Sequence, residues 1–247
     1  MPLKAFSILT IVLLFFATGC QEAPKTAAKT VKTEVTKDTV SQDIIDTTAT
    51  ETTKTKSEED VKEDFKLTED NAIDFFFNYA KTLKEDKVRI KTKYGNIDIQ
   101  FYKNTPYHWA NFIYLTRKHY FDSTYFHRVV PNFIIQGGNT DMYKTQKKRN
   151  KIGHYLLPPD TRKGHKHHRG VVSMPSSEID NPHKLASPFE FFIVAQKPGA
   201  YHLDGDYTAF GHVIDGMDVV DTISQLATDA REWPHKNVMM TVEILKD

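Results

Sequence analysis

Residues 125–138 read YFHRVVPNFIIQGG, an arginine, aromatics and a glutamine set inside one short apolar frame. β-branched and aromatic residues dominate both halves, and Pro131-Asn132 breaks them, so the stretch predicts two strands joined by a turn. Side chains alternate across a strand, which places Phe126 with Arg128 on one face and Ile134 with Gln136 on another. Gly137-Gly138 is expected to end the second run. An arginine and a glutamine delivered to a shared apolar surface describe a binding groove better than a core.

Neighbouring segments continue the β pattern. In VRIKTKYGNIDIQFY, residues 88–102, Val88, Ile90 and Thr92 alternate with Arg89, Lys91 and Lys93; Gly95-Asn96 interrupts, and Ile97, Ile99 and Phe101 resume, predicting a hairpin. Thr105 and Pro106 suit the N-cap and first position of a helix running to about Lys118, with Trp109, Phe112 and Ile113 as its buried stripe. A second helix is expected from Met217 to about Leu226, burying Val219, Val220, Ile223 and Leu226. Ahead of the hairpin, residues 71–86 carry Ile73, Phe76, Phe77, Tyr79, Ala80 and Leu83 near helical spacing, an amphipathic helix placed against the strands. Residues 139–169 are basic and histidine-rich and read as a loop with a short ordered centre at Tyr155 to Pro159.

The frame FHRVVPNFIIQGG resembles the signature of the cyclophilin family of peptidyl-prolyl cis-trans isomerases, and FEFFIVAQ (residues 189–196) and LDGDYTAFGHVIDGMDVV (203–220) resemble its later segments. The resemblance spans residues 87–247 and implies a mainly β fold, a closed eight-stranded antiparallel barrel capped by two α-helices; composition places a disordered tether ahead of it. It also implies a non-covalent, cofactor-free reaction on proline-containing polypeptides. The X-Pro bond has a barrier of ~20 kcal/mol from amide resonance, while cis and trans differ by only ~1 kcal/mol. A donor placed on the prolyl nitrogen captures the lone pair released as the bond twists, stabilising the transition state selectively.

By residue-by-residue resemblance Arg128 supplies that donor, and Phe133 and Gln136 complete the catalytic set. Ile134, Phe192, Leu203 and Tyr207 line the proline slot, while Ser176, Glu190 and His202 flank the substrate. Phe191 is assigned to the core. Several positions depart from the family pattern: Ile134 replaces a methionine, Pro175-Ser176 replaces Ala-Asn or Ala-Arg, Glu190 replaces a glutamine, and His202 replaces a tryptophan or phenylalanine. Glu190 is expected to hold the Arg128 guanidinium or to compete with substrate for it. These changes point to altered substrate preference.

Three chemistries are set aside. His154, His165, His167 and His168 lack the spacing of a metal site, so no metal is expected. Ser173 and His127 have no nucleophile elbow, which argues against hydrolysis. With 33 Lys and Arg against 32 Asp and Glu, the chain has no excess charge with which to bind nucleic acid.

At the N-terminus Lys4 precedes an apolar run, Ala5 to Ala17, too short to span a bilayer but suited to a signal peptide. Thr18-Gly19 before Cys20, the only cysteine, resembles a bacterial lipobox, although Ala17 stands at its usual leucine position. The expected organisation is a signal peptide at 1–19, lipidated Cys20 opening a tether over 20–70, the helix at 71–86 and the isomerase domain at 87–247. Thr, Lys, Glu, Asp, Ala and Ser fill the tether, which cannot bury enough apolar surface to order itself. The whole describes a monomeric isomerase of exported proteins, lipid-anchored at an inner or outer bacterial membrane. Two other readings stay open: a non-catalytic proline-segment binding or chaperone module, and a docking protein whose basic loop 144–169 binds acidic polymer or lipid.

Overall fold

The computed structural model describes residues 65–176 and 180–246. The signal-peptide and lipidation readings, Cys20 included, and the tether up to residue 64 lie outside these residues. Helix α1 (Ala72–Thr82) is followed by β1 (Lys87–Thr92), β2 (Gly95–Phe101), α2 (Pro106–Arg117), β3 (Thr124–Val130), β4 (Ile134–Asn139) and α3 (Tyr143–Ile152). Then come β5 (Val171–Ser173), β6 (Phe191–Val194), β7 (Ala209–Asp215), α4 (Met217–Ser224) and β8 (Met239–Ile244). The strands close in the order β1-β2-β7-β5-β6-β4-β3-β8, with β8 returning antiparallel to β1. This is the barrel expected from the sequence.

Alternation fills the interior. Val88, Ile90, Ile97, Ile99, Phe126, Val129, Ile135, Phe191, Ile193 and Phe210 are buried in one cluster. Helix α2 adds Phe112, whose ring lies 4.5 Å from Phe121, 5.1 Å from Phe101 and 5.3 Å from Phe191. The stripe Trp109, Phe112 and Ile113 is buried as expected, but His108, Asn111 and Thr116 are buried too. Other segments cover those positions: His108 lies against Asp160 and Phe210, and Asn111 bonds the Pro188 carbonyl and the Tyr155 hydroxyl, while α1 packs on α2 with Phe75 and Phe76 set edge-on against Tyr114. Within α1 the buried face is Ala72, Phe76 and Ala80, leaving Ile73 and Phe77 exposed.

Five local expectations are corrected. Residues 139–169 are not simply loop: α3 forms over Tyr143–Ile152, because Lys, Gln and Arg are good helix formers even where a helix lacks an apolar face. Gly137-Gly138 does not end β4 but lies inside it. A Cβ on Gly137 would sit 2.6 Å from Met240 Cε, and one on Gly138, at φ 99°, would collide with the Phe189 carbonyl. Thr105 does not cap α2 through its side chain, since Oγ1 donates instead to the Tyr102 carbonyl at 2.7 Å. Leu67, expected within the tether, is instead fully buried, and its backbone bridges Ile152 and His154.

The fifth correction bears on function. β3 pairs Phe126 with Gly137 and Arg128 with Gln136, with a register shift between the two pairs. His127 is thus the extra residue of a bulge, which flips the alternation. Phe126 and Val129 point into the barrel, and Arg128 is left on the outer face with its pairing partner Gln136.

Candidate active site

On the outer wall, the residues between the core positions form a second apolar cluster. Ile134, Val171, Phe192, Val194, Ala200 and Ala209 are its buried floor, and Val130, Phe133, Leu203 and Tyr207 its half-buried rim. The register explains the grouping: Ile134 opposes Val194 and Gln136 opposes Phe192 across β4 and β6. Pro131-Asn132 turns the chain so that Phe133 donates its N–H to the Val130 carbonyl at 3.1 Å, and Asn132 accepts φ 58°. A 3-10 turn at Tyr201–Leu203 supplies the opposite wall. There His202 stacks on Phe133, centroids 5.3 Å apart at 26°, and Tyr207 meets Phe192 edge-on at 6.0 Å.

Polar groups border this cluster in a connected series. Arg128 Nε donates to Glu232 Oε2 at 2.6 Å, and Nη1 reaches Gln136 Oε1 at 3.4 Å. Gln136 Nε2 donates to Glu190 Oε2 at 2.8 Å, which fixes the amide so that its oxygen faces Arg128. Glu190 Oε1 accepts from Asn139 Nδ2 at 3.1 Å; His127 Nε2 and Arg149 Nη2 lie 3.4 and 3.9 Å from its carboxylate. Burial alone would raise the Glu190 pKa, but His127, Gln136 and Arg149 together hold it below the ordinary carboxylate value. Glu190 therefore orients Gln136 rather than pairing with Arg128, a correction to the expected role.

Of the residues singled out in the sequence, Arg128, Phe133, Ile134, Gln136, Phe192, Leu203, Tyr207 and His202 converge on this patch, with Glu190 behind Gln136. The Ser176 hydroxyl accepts from Asn181 Nδ2 at 2.8 Å. Phe191 points inward, as assigned.

Sequence reasoning missed Glu232 and Arg149. Glu232 lies 104 residues from Arg128, in a loop with no periodic pattern, and nothing local marks it. Arg149 belongs to α3, in the segment taken for a loop. There Lys148 donates to the His119 and Asp122 carbonyls and Arg149 Nε to the Tyr120 hydroxyl, so part of that basic charge is structural.

His167 stands behind the slot, its ring face-on to Phe192 at 6.2 Å. Its Nδ1 lies 2.8 Å from Asp204 Oδ1 and its Nε2 3.1 Å from Ser173 Oγ. The order Ser-His-Asp imitates a hydrolytic triad, yet Ser173 and His167 are wholly buried and Ser173 Oγ also reaches the Thr208 carbonyl at 2.8 Å. No substrate carbonyl can reach that hydroxyl. Burial holds His167 below its ordinary pKa against the opposing pull of Asp204. Among the other histidines, His165 stacks on Tyr102 at 3.9 Å and His168 Nδ1 meets the Tyr201 hydroxyl at 2.8 Å.

What remains at the surface is an apolar slot bordered by one fixed guanidinium and one oriented amide. It has hydrogen-bond donors, and no serine, threonine or cysteine stands among the residues of the cluster. Such a site can hold a small apolar ring and offer a donor to its edge.

Comparison with known proteins agrees. The family model described as "Cyclophilin type peptidyl-prolyl cis-trans isomerase/CLD" matches residues 87–244. A peptidyl-prolyl cis-trans isomerase of Acinetobacter baylyi is 36% identical over 162 residues, covering 64% of this chain and 82% of that protein. Peptidyl-prolyl cis-trans isomerase-like 2 of Rhizopus delemar is 34% identical over 164 residues, 66% of this chain but only 29% of that longer protein. A crystal structure of a Cryptosporidium parvum cyclophilin type isomerase aligns with a TM-score of 0.55 at 26% identity, covering 66% of this chain and 99% of that one.

Proposed function

The chain belongs to the cyclophilin-type peptidyl-prolyl cis-trans isomerases, and from that premise we propose how its own residues perform the reaction. The proline ring of a polypeptide substrate enters the slot walled by Phe133, Ile134, Phe192, Leu203 and Tyr207. Arg128 then faces the prolyl amide, and one of its Nη donors engages the nitrogen lone pair as resonance is lost in the twisted state. Its charge is permanent and its donors form a rigid fork, so nothing needs to be ionised for catalysis. Gln136, oriented by Glu190, steadies the fork and contacts the substrate backbone; His202, on Phe133, closes the slot. The carrying observation is the placement of Arg128 on the outer face, beside the apolar cluster and held by Gln136. Measuring X-Pro isomerisation in a short peptide with wild type and Arg128→Ala tests it. Undiminished turnover by a folded Arg128→Ala protein sinks the mechanism.

We further propose that the enzyme assists the folding of exported proteins in a bacterial envelope, anchored by a lipid on Cys20 and tethered by the Thr- and Lys-rich segment. The support is in the sequence: Lys4, the apolar run to Ala17, and Thr18-Gly19 before the only cysteine. Among the described residues no helix is long and apolar enough to cross a membrane, so attachment would rest on the N-terminal segment. Partitioning between detergent and water decides. The wild type should enter the detergent phase with an acyl label, and Cys20→Ala should not, each buried CH2 of the lipid contributing roughly 0.8 kcal/mol. An unlabelled wild type in the aqueous phase leaves a free enzyme.

A further inference from the structure

We propose that Glu232 is the positioning residue for Arg128, and that the loop from Ala227 to His235 is built to present it. β3 pairs with β8 only at Thr124 and Tyr125. Beyond that point the loop takes over its edge, with Phe126 N–H donating to the Val238 carbonyl at 2.9 Å and Val129 N–H to the Glu232 carbonyl at 2.8 Å. The backbone bond at Val129 brings the Glu232 side chain alongside Arg128, where Oε2 takes Nε at 2.6 Å. With Nε captured by Glu232, Nη1 is directed at Gln136. An unrestrained arginine side chain has four rotatable bonds; a bond at Nε fixes the plane of the fork.

Two features of the loop argue that this contact is designed. Asp229 organises the turn, its Oδ1 accepting the N–H groups of Arg231 at 2.8 Å and Trp233 at 2.9 Å, while its own N–H reaches the Trp233 carbonyl. Those backbone donors hold the Asp229 carboxyl below its ordinary pKa. Glu232 itself sits at φ 64°, a left-handed conformation disfavoured for a glutamate and tolerated only when the surroundings impose it. The pair is 38% and 41% exposed, so it contributes little to stability. Strain retained for an ion pair of small energetic worth points to orientation as its use.

The inference rests on the catalytic role assigned to Arg128, and the test separates the two. Glu232→Gly relieves the backbone strain and removes the carboxylate; Glu232→Gln keeps the length and removes the charge. Both should lower kcat for an X-Pro peptide by about tenfold with KM little changed, and Glu232→Gly should melt no lower than wild type. In an Arg128→Ala background either change should have no further effect. Wild-type kcat in folded Glu232→Gly and Glu232→Gln, with Arg128→Ala impaired, overturns this inference alone. Equal losses with and without Arg128 overturn it as well, by placing the role of Glu232 elsewhere. An unimpaired Arg128→Ala overturns the catalytic reading and this one with it.

Discussion

Phe191 and Phe192 are chemically identical neighbours on β6, and they serve opposite faces of one wall. Phe191 points into the barrel, in van der Waals company with Phe112, Phe121 and Phe126. Phe192 points outward, onto Ile134 and Tyr207 and in front of His167. The inner side is packed with rings, whereas the outer side is a smaller cluster with a half-buried rim, bordered by Arg128, Gln136 and Glu190. The barrel wall is thus a shared floor: the period-two alternation that makes a core on one side makes a proline slot on the other. Stability should follow the inner residues and turnover the outer ones.

The largest test of that division is Phe191→Ala, which should cost about 3–5 kcal/mol through lost burial and a cavity that the surrounding rings cannot fill. Phe192→Ala should destabilise less and raise KM, since its ring packs in the smaller outer cluster and forms the floor of the slot. Denaturant titration beside peptide kinetics checks both, and equal destabilisation would erase the distinction between the two faces. Next in size, Arg128→Ala should lower kcat/KM by on the order of 100-fold with little change in melting, as loss of one preorganised donor does. A protein that unfolds instead would make Arg128 part of the scaffold.

His202 sharpens the comparison at the slot's rim. It occupies the position where, by resemblance, cyclosporin-sensitive members carry a tryptophan, and its stacking on Phe133 shows that it faces the slot. His202→Trp should tighten cyclosporin binding by roughly 10-fold or more through added apolar contact, with only modest change in peptide turnover. Calorimetric titration of both proteins measures it, and equal affinity would mean that the rim does not contribute.

The mildest effect is graded with pH and belongs to the polar groups packed around the walls. Burial pushes His108 and His167 below their ordinary value of 6.5. His108 has no hydrogen-bond partner at either ring nitrogen, and the Asp160 carboxylate stands 3.5 Å away outside hydrogen-bond geometry. The unfolded chain therefore binds these protons more readily than the folded one. Their contribution to stability is fully present above about pH 6.5 and is lost progressively as pH falls below it. Glu190 has the usual carboxylate behaviour, contributing above its ordinary value of 4.5 and losing that contribution as pH falls through its lowered folded pKa. Unfolding free energy should fall from about pH 7.5 to 5.5, and His108→Phe should flatten that slope. A wild type equally stable at both values would refute the assignment of neutral buried histidines.

Much of this was legible in the chain. The alternation in residues 88–102 and the helix beginning at Pro106 follow from local periodicity and residue type, whereas the slot residues and the closed barrel were implied by the resemblance that the frame YFHRVVPNFIIQGG carries. Identical reasoning failed where local rules conflict with packing. The bulge at His127 put Phe126 and Arg128 on opposite faces, since a strand's alternation is set by its pairing partner and not by its own sequence alone. Helix α3 escaped because it has no apolar stripe to announce it. Glu232 could be found only in three dimensions: a contact between residues 104 apart depends on a loop closing along the edge of β3, and hydrophobic spacing records nothing of such a closure. The sequence by itself determined which residues are apolar, alternating and turn-forming, and its resemblance to a known family implied the barrel and its slot. Tertiary structure decided which charged groups meet there, because a side chain's electrostatic partner is chosen by proximity in space.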